Sequence, residues 1–138
     1  MQVRHHLRNF SCLIQSISER SPFFRVWQSI LKGENTLCVS NEILEEYAEI
    51  LERLLDKETA DYVLDAILKN KYVELITPYY HFGLIKADPD DNKFVDCAVA
   101  ANARYVVTND KHYSVLREIS FPVVDVISLR DFFLQICS

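Results

Sequence analysis

Residues 91–110 read DNKFVDCAVAANARYVVTND, a helical pattern followed directly by a strand pattern. One apolar face recurs at helical spacing, formed by Phe94, Val95, Ala98, Val99 and Asn102. Residues 105–108 (YVVT) read as a strand, and the nearly continuous apolar run TLCVS at residues 36–40 is expected of a strand buried on both faces. A helix that leads into a strand is typical of parallel crossover units. The segment therefore predicts an α/β fold, with Asp110 just beyond the carboxyl end of a strand.

The same alternation extends over most of the chain. Further strand patterns are TLCVS at residues 36–40, YVELIT at 72–77 and VVDVI at 123–127. Helical patterns start after Ser21, Ser40 and Ser128, with a break at residues 56–59 and a helix end at Gly33. Strands that alternate with helices imply right-handed crossovers and a mostly parallel sheet covered on both faces. We therefore expect a three-layer α/β/α sandwich in one domain spanning residues 1–138.

Composition excludes several broad classes of protein. The 138 residues are 49% hydrophobic and 25% charged, the balance of a globular rather than a disordered chain. No apolar run reaches the roughly 18 residues of a membrane span, so we expect a soluble, cytoplasmic protein that contacts no membrane. A formal net charge of -5 argues against binding nucleic acid through bulk positive charge. The four scattered cysteines form no Cys-x-x-Cys pair and are expected to be buried free thiols.

Several enzyme motifs are absent from the sequence as well. With Gly33 and Gly83 as its two glycines, the chain can build neither a phosphate-binding loop nor a dinucleotide fingerprint. It has no Gly-x-Ser-x-Gly elbow, and its four histidines form no helical metal pair. In parallel sheets, sites form beyond the carboxyl ends of the strands. Acidic residues at such positions are therefore the remaining candidates.

The strongest of these acidic positions adjoin the segment 91–110. Asp110 follows the strand pattern directly, and the preceding helix opens with Asp88, Asp90 and Asp91. Any of them can serve as a helix cap or turn residue. Three acids in one place are, however, more than capping requires.

Helical phase separates the remaining acidic candidates. At about 100° per residue, Asp91 falls on the apolar face of its helix, whereas Asp96 points about 140° away, nearer the flank. Glu46 borders the apolar stripe of the helix after Ser40, while the glutamates around it are expected to face solvent. A carboxylate beside an apolar core is costly unless it is paired or metal-bound.

Carboxylates brought together from separate segments repel one another unless a divalent cation neutralises them. Oxygen ligands select Mg²⁺ or Mn²⁺ over zinc. Such a cation polarises a phosphodiester and lowers the pKa of an attacking water, which is the chemistry of metal-dependent nucleases.

Three segments together resemble the PIN-domain nucleases, specifically the VapC-like toxin components of toxin-antitoxin systems. They are SNEILEEY at residues 40–47, DPDDNKF at 88–94 and VVTND at 106–110, and the resemblance runs from about residue 12 to the end of the chain. It implies a parallel-sheet fold with an acidic pocket that binds Mg²⁺ or Mn²⁺ and cleaves single-stranded or structured RNA. It also implies an antitoxin protein as a partner, and members of the family often form homodimers.

The resemblance assigns roles to individual residues. Glu46 matches the helix glutamate of the family, Asp91 its third acidic position and Asp110 its last aspartate. Asp96 is an alternative for the third position, because DCAVAA at residues 96–101 also looks like the family's Asp-Ala-x-x-Ala-Ala helix. Helical phase favours Asp91. The supporting residues on the same strand end are Thr108 and Asn109.

The sequence departs from the family pattern near its start. The family's first strand is apolar and ends in Asp-Thr-Asn, whereas this chain has Asn9-Phe10-Ser11 there, preceded by the polar run HHLR at residues 5–8. Asn9 can coordinate a metal through its amide oxygen but brings no charge, and Ser11 is a further supporting residue. A frameshift near the 5′ end of the gene is one hypothesis for the abrupt loss of apolar pattern. A degenerate or inactivated family member fits the residues equally well.

Two functions follow from this comparison of residues. The first is a metal-dependent endoribonuclease that uses Glu46, Asp91 and Asp110. The second is a PIN fold without catalysis that binds RNA or a protein, with the aromatic run YYHF at residues 79–82 as a contact. Core packing is the favoured interpretation of that aromatic run. A phosphatase-like or receiver-like fold is disfavoured, because it needs a nucleophilic aspartate after the first strand.

Overall fold

The computed structural model describes residues 2–3, 12–85, 91–119 and 122–137. The predictions that concern Asn9, Ser11, Asp88, Asp90 and the polar run at residues 5–8 therefore lie outside the described residues.

Short strands and helices alternate through these ranges. The strands are β1 (Gln2–Val3), β2 (Cys38–Val39), β3 (Glu74–Leu75), β4 (Val106–Val107) and β5 (Val126–Ile127). The helices are α1 (Cys12–Ser16), α2 (Phe24–Leu31), α3 (Asn41–Leu54), α4 (Lys57–Leu68), α5 (Asn92–Ala100) and α6 (Leu129–Cys137), with a 3-10 helix at Lys111–Glu118. The predicted α/β class is confirmed. Each predicted strand contains an observed one that is shorter, and β1 and α1 were not predicted.

All strand pairs that the described residues form are parallel. One sheet has the order β1-β4-β5, with Val106 opposite both Gln2 and Val126, and a second sheet pairs β2 with β3. β1 also contacts β2, so the two sheets adjoin there. The carboxyl end of β4, where Asp110 follows, therefore lies inside the strand array rather than at its margin.

Apolar side chains pack on both faces of β4. Consecutive strand residues point to opposite faces, and Val106 and Val107 belong to two different buried clusters. α5 packs against β1, β2 and β4, and it contributes Phe94 to one cluster and Val95 to the other. This packing fixes the start of α5 beside the end of β4.

Local sequence signals place most of the helix ends. The Ser40 hydroxyl accepts a hydrogen bond from the backbone N–H of Ile43, and the Ser128 hydroxyl accepts one from Asp131. Gly33 follows the end of α2 with φ +78°, the left-handed conformation that commonly ends helices. The predicted helix starts after Ser40 and Ser128 and the predicted end at Gly33 are thus confirmed, whereas α2 begins at Phe24, later than the Ser21 signal indicated.

Two predictions about burial are wrong. Asn102 is exposed and does not lie on the inner face of α5, because the helix ends at Ala100 and Asn102 takes φ 52° in the turn beyond it. Cys137 near the end of α6 is exposed, while Cys12, Cys38 and Cys97 are buried free thiols as expected.

No helix within the described ranges is long and apolar enough to cross a membrane.

Candidate functional site

Two aspartates and a histidine meet where β4 ends and α5 begins. Asp91 is the residue before α5 and is 2% exposed, and Asp110 precedes the 3-10 helix that contains His112. One ligand atom from each of these three residues lies within 4.8 Å of the other two. The sheet topology thus brings together two of the acids that the sequence predicted as site residues.

Asp110 is held in place by its own turn. One carboxylate oxygen, Oδ1, accepts the backbone N–H of His112 at 2.8 Å and lies 3.4 Å from the ring Nδ1 of the same histidine. The backbone N–H of Asp110 donates to the Thr108 hydroxyl at 3.1 Å. Asp110 therefore caps this 3-10 helix, a role that the sequence left open beside a functional one, and the cap aligns Asp110 and His112 toward each other.

Neighbouring side chains hold the rest of this edge. The backbone N–H of Leu129 donates to the Asn109 side-chain oxygen at 3.1 Å, which ties the end of β4 to the start of α6. The hydroxyl of Tyr113, itself fully buried, donates to the backbone carbonyl of Asp91 at 3.3 Å. These bonds connect β4, the 3-10 helix, α5 and α6 around the three-residue group.

The electrostatics of the group centre on Asp91. Burial, and then the negative charge of Asp110, raise the pKa of the Asp91 carboxyl from 3.8 to about 7, while the nearby Lys93 ammonium acts in the opposite direction. Two carboxylates forced together in a partly dry pocket repel one another, and a bound cation removes that repulsion.

Glu46 lies on the inward face of α3 and is 5% exposed, whereas Glu42, Glu45, Glu49 and Glu52 are exposed, as predicted. Oε1 of Glu46 accepts an ion-pair contact from Nζ of Lys93 at 3.0 Å. Glu46 is not a member of the group within 4.8 Å. Lys93 links the two places, since it pairs with Glu46 and its charge also acts on Asp91.

Asp96 faces a different part of the structure. Its Oδ1 accepts the backbone N–H of Phe82 at 3.1 Å, and its Oδ2 lies 3.3 Å from Nδ1 of His81. Asp96, which helical phase places nearer the flank of α5, is nevertheless only 3% exposed. The physical reason is that residues 79–85 cover this side of α5, so the flank of the helix is buried there.

The aromatic run at residues 79–82 is not core. Tyr79 and Tyr80 are 87% and 74% exposed, which contradicts the favoured interpretation of this run as core packing. Phe82 is half-buried and lines a cavity of about 480 Å³ that extends to His112. The polar anchors at Asp96 hold the run at the surface.

Sequence reasoning missed two residues of this region. His112 lies two positions after Asp110, and this spacing, which places both side chains on one short turn, is the signal in the sequence that points to it. Lys93 lies two positions after Asp91 in the first turn of α5, where a cation opposes the helix dipole. That unfavourable position is itself a signal that Lys93 has a specific acidic partner.

The PIN-domain family profile matches residues 11–112. This span covers most of the chain and includes Glu46, Asp91, Asp110 and His112. The chain therefore belongs to the PIN-domain family, whose members are generally nucleases and typically use divalent metals. No curated protein and no solved structure matches the chain.

Proposed function

We propose that this PIN-domain protein is a metal-dependent endoribonuclease that hydrolyses RNA phosphodiesters. The observation that carries the proposal is the grouping of Asp91, Asp110 and His112 within 4.8 Å at the carboxyl end of β4. Parallel α/β sheets form their sites at this edge. Membership of a family of nucleases supplies the class of reaction.

The donor atoms of this group fit a divalent cation. Asp91 and Asp110 offer carboxylate oxygens, which suit Mg²⁺ and Mn²⁺, and His112 offers an imidazole nitrogen, which Mn²⁺ accepts more readily than Mg²⁺. We propose that these three residues hold the ion and that Glu46 contributes a further carboxylate. Asp96 is not proposed as a ligand, because it lies outside the three-residue group and both of its carboxylate oxygens face Phe82 and His81.

The metal ligands, the residues that support them and Lys93 each contribute differently to the proposed hydrolysis. When bound, Mg²⁺ or Mn²⁺ supplies positive charge that polarises the phosphodiester and lowers the pKa of an attacking water. Asp91 and Asp110 position that charge at the end of β4, and Thr108 and Asn109 hold the turn that carries Asp110. Lys93 brings a second positive charge to the same edge of the sheet, where the anionic substrate must approach.

The resemblance of segments 40–47, 88–94 and 106–110 supports a narrower biological role within the same proposal. In that role the protein is the toxin component of a toxin-antitoxin pair, acts on RNA in the cytoplasm, binds an antitoxin protein and forms a homodimer. Residues 1–138 then form one three-layer α/β/α domain, and Asn9 and Ser11 support the metal site.

A second candidate function rests on Asn9, which stands where the family has its first aspartate. With that carboxylate missing, the metal binds more weakly, and the domain acts as a binding module for RNA or for a protein instead of an enzyme. In this alternative the chain has the PIN fold but no nuclease activity.

Cleavage of labelled RNA in Mn²⁺, Mg²⁺ or EDTA tests the proposal. Four proteins are compared: the native chain, Asp110→Asn, Asn9→Asp, and Asp61→Asn as a control at an exposed aspartate of α4. We expect metal-dependent cleavage that Asp110→Asn reduces at least about 100-fold and Asp61→Asn leaves unchanged. Cleavage by Asn9→Asp alone would identify a site disabled by its altered N-terminal segment. No cleavage by any of the proteins would support the binding module.

A further inference from the structure

An exposed aromatic surface lies on the segment between β3 and α5. Tyr79 and Tyr80 carry 87% and 74% of their surface in solvent, and the Tyr80 ring centroid lies 6.1 Å from that of Phe82. Single exposed aromatic residues are ordinary, but adjacent exposed rings beside a cavity are typical of binding surfaces. We call residues 79–82 the aromatic segment.

Two cavities flank Phe82 in the aromatic segment. The larger, about 480 Å³, runs between Phe82 and the 3-10 helix, where Val115 and His112 line it. The smaller, about 340 Å³, lies between Tyr79, Tyr80 and α5. Both volumes fall in the range of roughly 300–1,000 Å³ that is usual for small-ligand pockets. His112, a member of the group with Asp91 and Asp110, lines the larger cavity.

The aromatic segment and the residues after it are tied to α5 at two points. Asp96 accepts the backbone N–H of Phe82 at 3.1 Å, and Asn92 bonds to both the N–H and the carbonyl of Ile85 at 2.8 and 3.1 Å. A surface held in this way loses little conformational entropy when a ligand binds. These bonds fix the backbone at Phe82 and Ile85, shortly after the two exposed tyrosines.

We propose that the aromatic segment and the two cavities bind unpaired nucleobases of the RNA whose phosphodiester lies at the Asp91, Asp110 and His112 group. This inference rests on the proposed nuclease function. The formal net charge of -5 disfavours a binding mode led by phosphate contacts. Stacking of a base on an aromatic ring is tolerant of sequence and strong enough, at about 1–3 kcal/mol per base, to replace such contacts.

The same geometry sets the substrate class. Base faces inside a duplex are stacked on one another and cannot reach Tyr79, Tyr80 or the cavity beside Phe82. Asp96, which the resemblance offers as a metal ligand, instead becomes a positioning residue for the aromatic segment. The protein is therefore expected to select single-stranded RNA.

Binding of short RNA in EDTA tests the inference without any cleavage. The probes are a single-stranded RNA that contains 2-aminopurine, the same strand in a duplex, and the same strand with abasic positions. We expect the native chain to bind the single strand at least about tenfold more tightly than the other two and to quench 2-aminopurine by stacking. Equal binding of all three would overturn the inference.

Variants then locate the surface. Tyr79→Ala with Tyr80→Ala should weaken single-strand binding at least about tenfold and abolish quenching, whereas Tyr79→Phe with Tyr80→Phe should retain both, because the rings remain. Val115→Trp, which fills the larger cavity, should weaken binding as well. Tyr62→Ala, at a tyrosine of α4 that is 76% exposed, is the matched control and should change nothing. Unchanged binding in the alanine and tryptophan variants would overturn the inference.

The two proposals fail in different ways. If the native chain binds single strands through the tyrosines but cleaves no RNA in Mn²⁺, the base-binding surface stands and the nuclease proposal fails. If it cleaves RNA while the tyrosine and Val115 variants bind and cleave as the native chain does, the nuclease proposal stands and the base-binding surface fails.

Discussion

The side-chain ammonium of Lys93 lies 3.0 Å from Oε1 of Glu46, and only 20% and 5% of the two side chains are exposed. The pair joins the first turn of α5 to the middle of α3. It gives a buried glutamate of the PIN fold an internal cation, next to the group in which Asp91 and Asp110 repel each other. The charge of Lys93 therefore acts on both Glu46 and Asp91.

Replacement of Lys93 should destabilise the folded protein in the absence of metal. We expect Lys93→Met to lower the free energy of unfolding by roughly 1–3 kcal/mol in EDTA, because the buried Glu46 carboxylate loses its contact with the Lys93 ammonium. Urea denaturation at pH 8 measures this. Arg53→Met, which breaks the exposed Arg53–Glu49 pair of α3, is the control and should cost less than about 0.5 kcal/mol. Equal losses in the two variants would show that Lys93 contributes no more than a surface charge.

Gly33 should tolerate no side chain. Its φ is +78°, and an added Cβ would lie 2.6 Å from ring atoms of Tyr72. We expect Gly33→Ala to cost at least about 2 kcal/mol, the sum of left-handed strain and that contact. Gly83→Ala has a similar φ of +62° with no described atom within 4 Å, so it should cost only about 1 kcal/mol. Thermal or urea unfolding measures both losses of stability. If Gly33→Ala lowers the free energy of unfolding no more than Gly83→Ala does, the contact with Tyr72 does not contribute.

Features governed by local rules were predictable from the sequence. Ser40 caps α3 and Gly33 ends α2, because both depend on backbone groups within four residues. The buried strand at Cys38–Val39 followed from an uninterrupted apolar run. The parallel sheet then followed from the order of the elements, and it put Asp110 and Asp91 at one edge.

Features that depend on distant partners were not predictable. The Lys93–Glu46 pair joins two helices that are far apart in sequence, and helical phase alone carries no information about what faces a helix. Helical phase separated the directions of Asp91 and Asp96, but it could not show that other residues cover the flank at Asp96. Residues 79–85 cover that flank, and their own position depends on hydrogen bonds to Asp96 and Asn92.

The raised pKa of Asp91 predicts how stability changes with pH in metal-free protein. In the folded state this carboxyl binds its proton more tightly than in the unfolded state, because its pKa is about 7 and not 3.8. Folding stability should therefore fall as pH rises from about 4 to 7, and the loss should be complete above that range. Asp91→Asn has no carboxyl to ionise at this position and so avoids this loss of stability. The variant should be more stable than the native chain at pH 8 by roughly 2–4 kcal/mol.

Urea denaturation in EDTA between pH 4 and 8 measures the difference between the native chain and Asp91→Asn. The difference should be near zero at pH 4 and should widen toward pH 8. Asp61→Asn, at an exposed position, should give a curve parallel to that of the native chain. Parallel curves for Asp91→Asn as well would contradict a raised pKa at Asp91.

His112 should determine which metal the site prefers. Its imidazole is the nitrogen donor in the group with Asp91 and Asp110, and nitrogen ligands favour transition metals over Mg²⁺. We expect His112→Asn to weaken Mn²⁺ and Co²⁺ binding by about 10–100-fold and Mg²⁺ binding by much less. Calorimetry gives the affinities, and the visible spectrum of bound Co²⁺ should shift when the nitrogen ligand is lost. His81→Asn, at a histidine whose side chain is 73% exposed beside Asp96, should alter neither. Equal losses for Mn²⁺ and Mg²⁺, with an unchanged Co²⁺ spectrum, would mean that His112 only orients Asp110 through the contact at 3.4 Å.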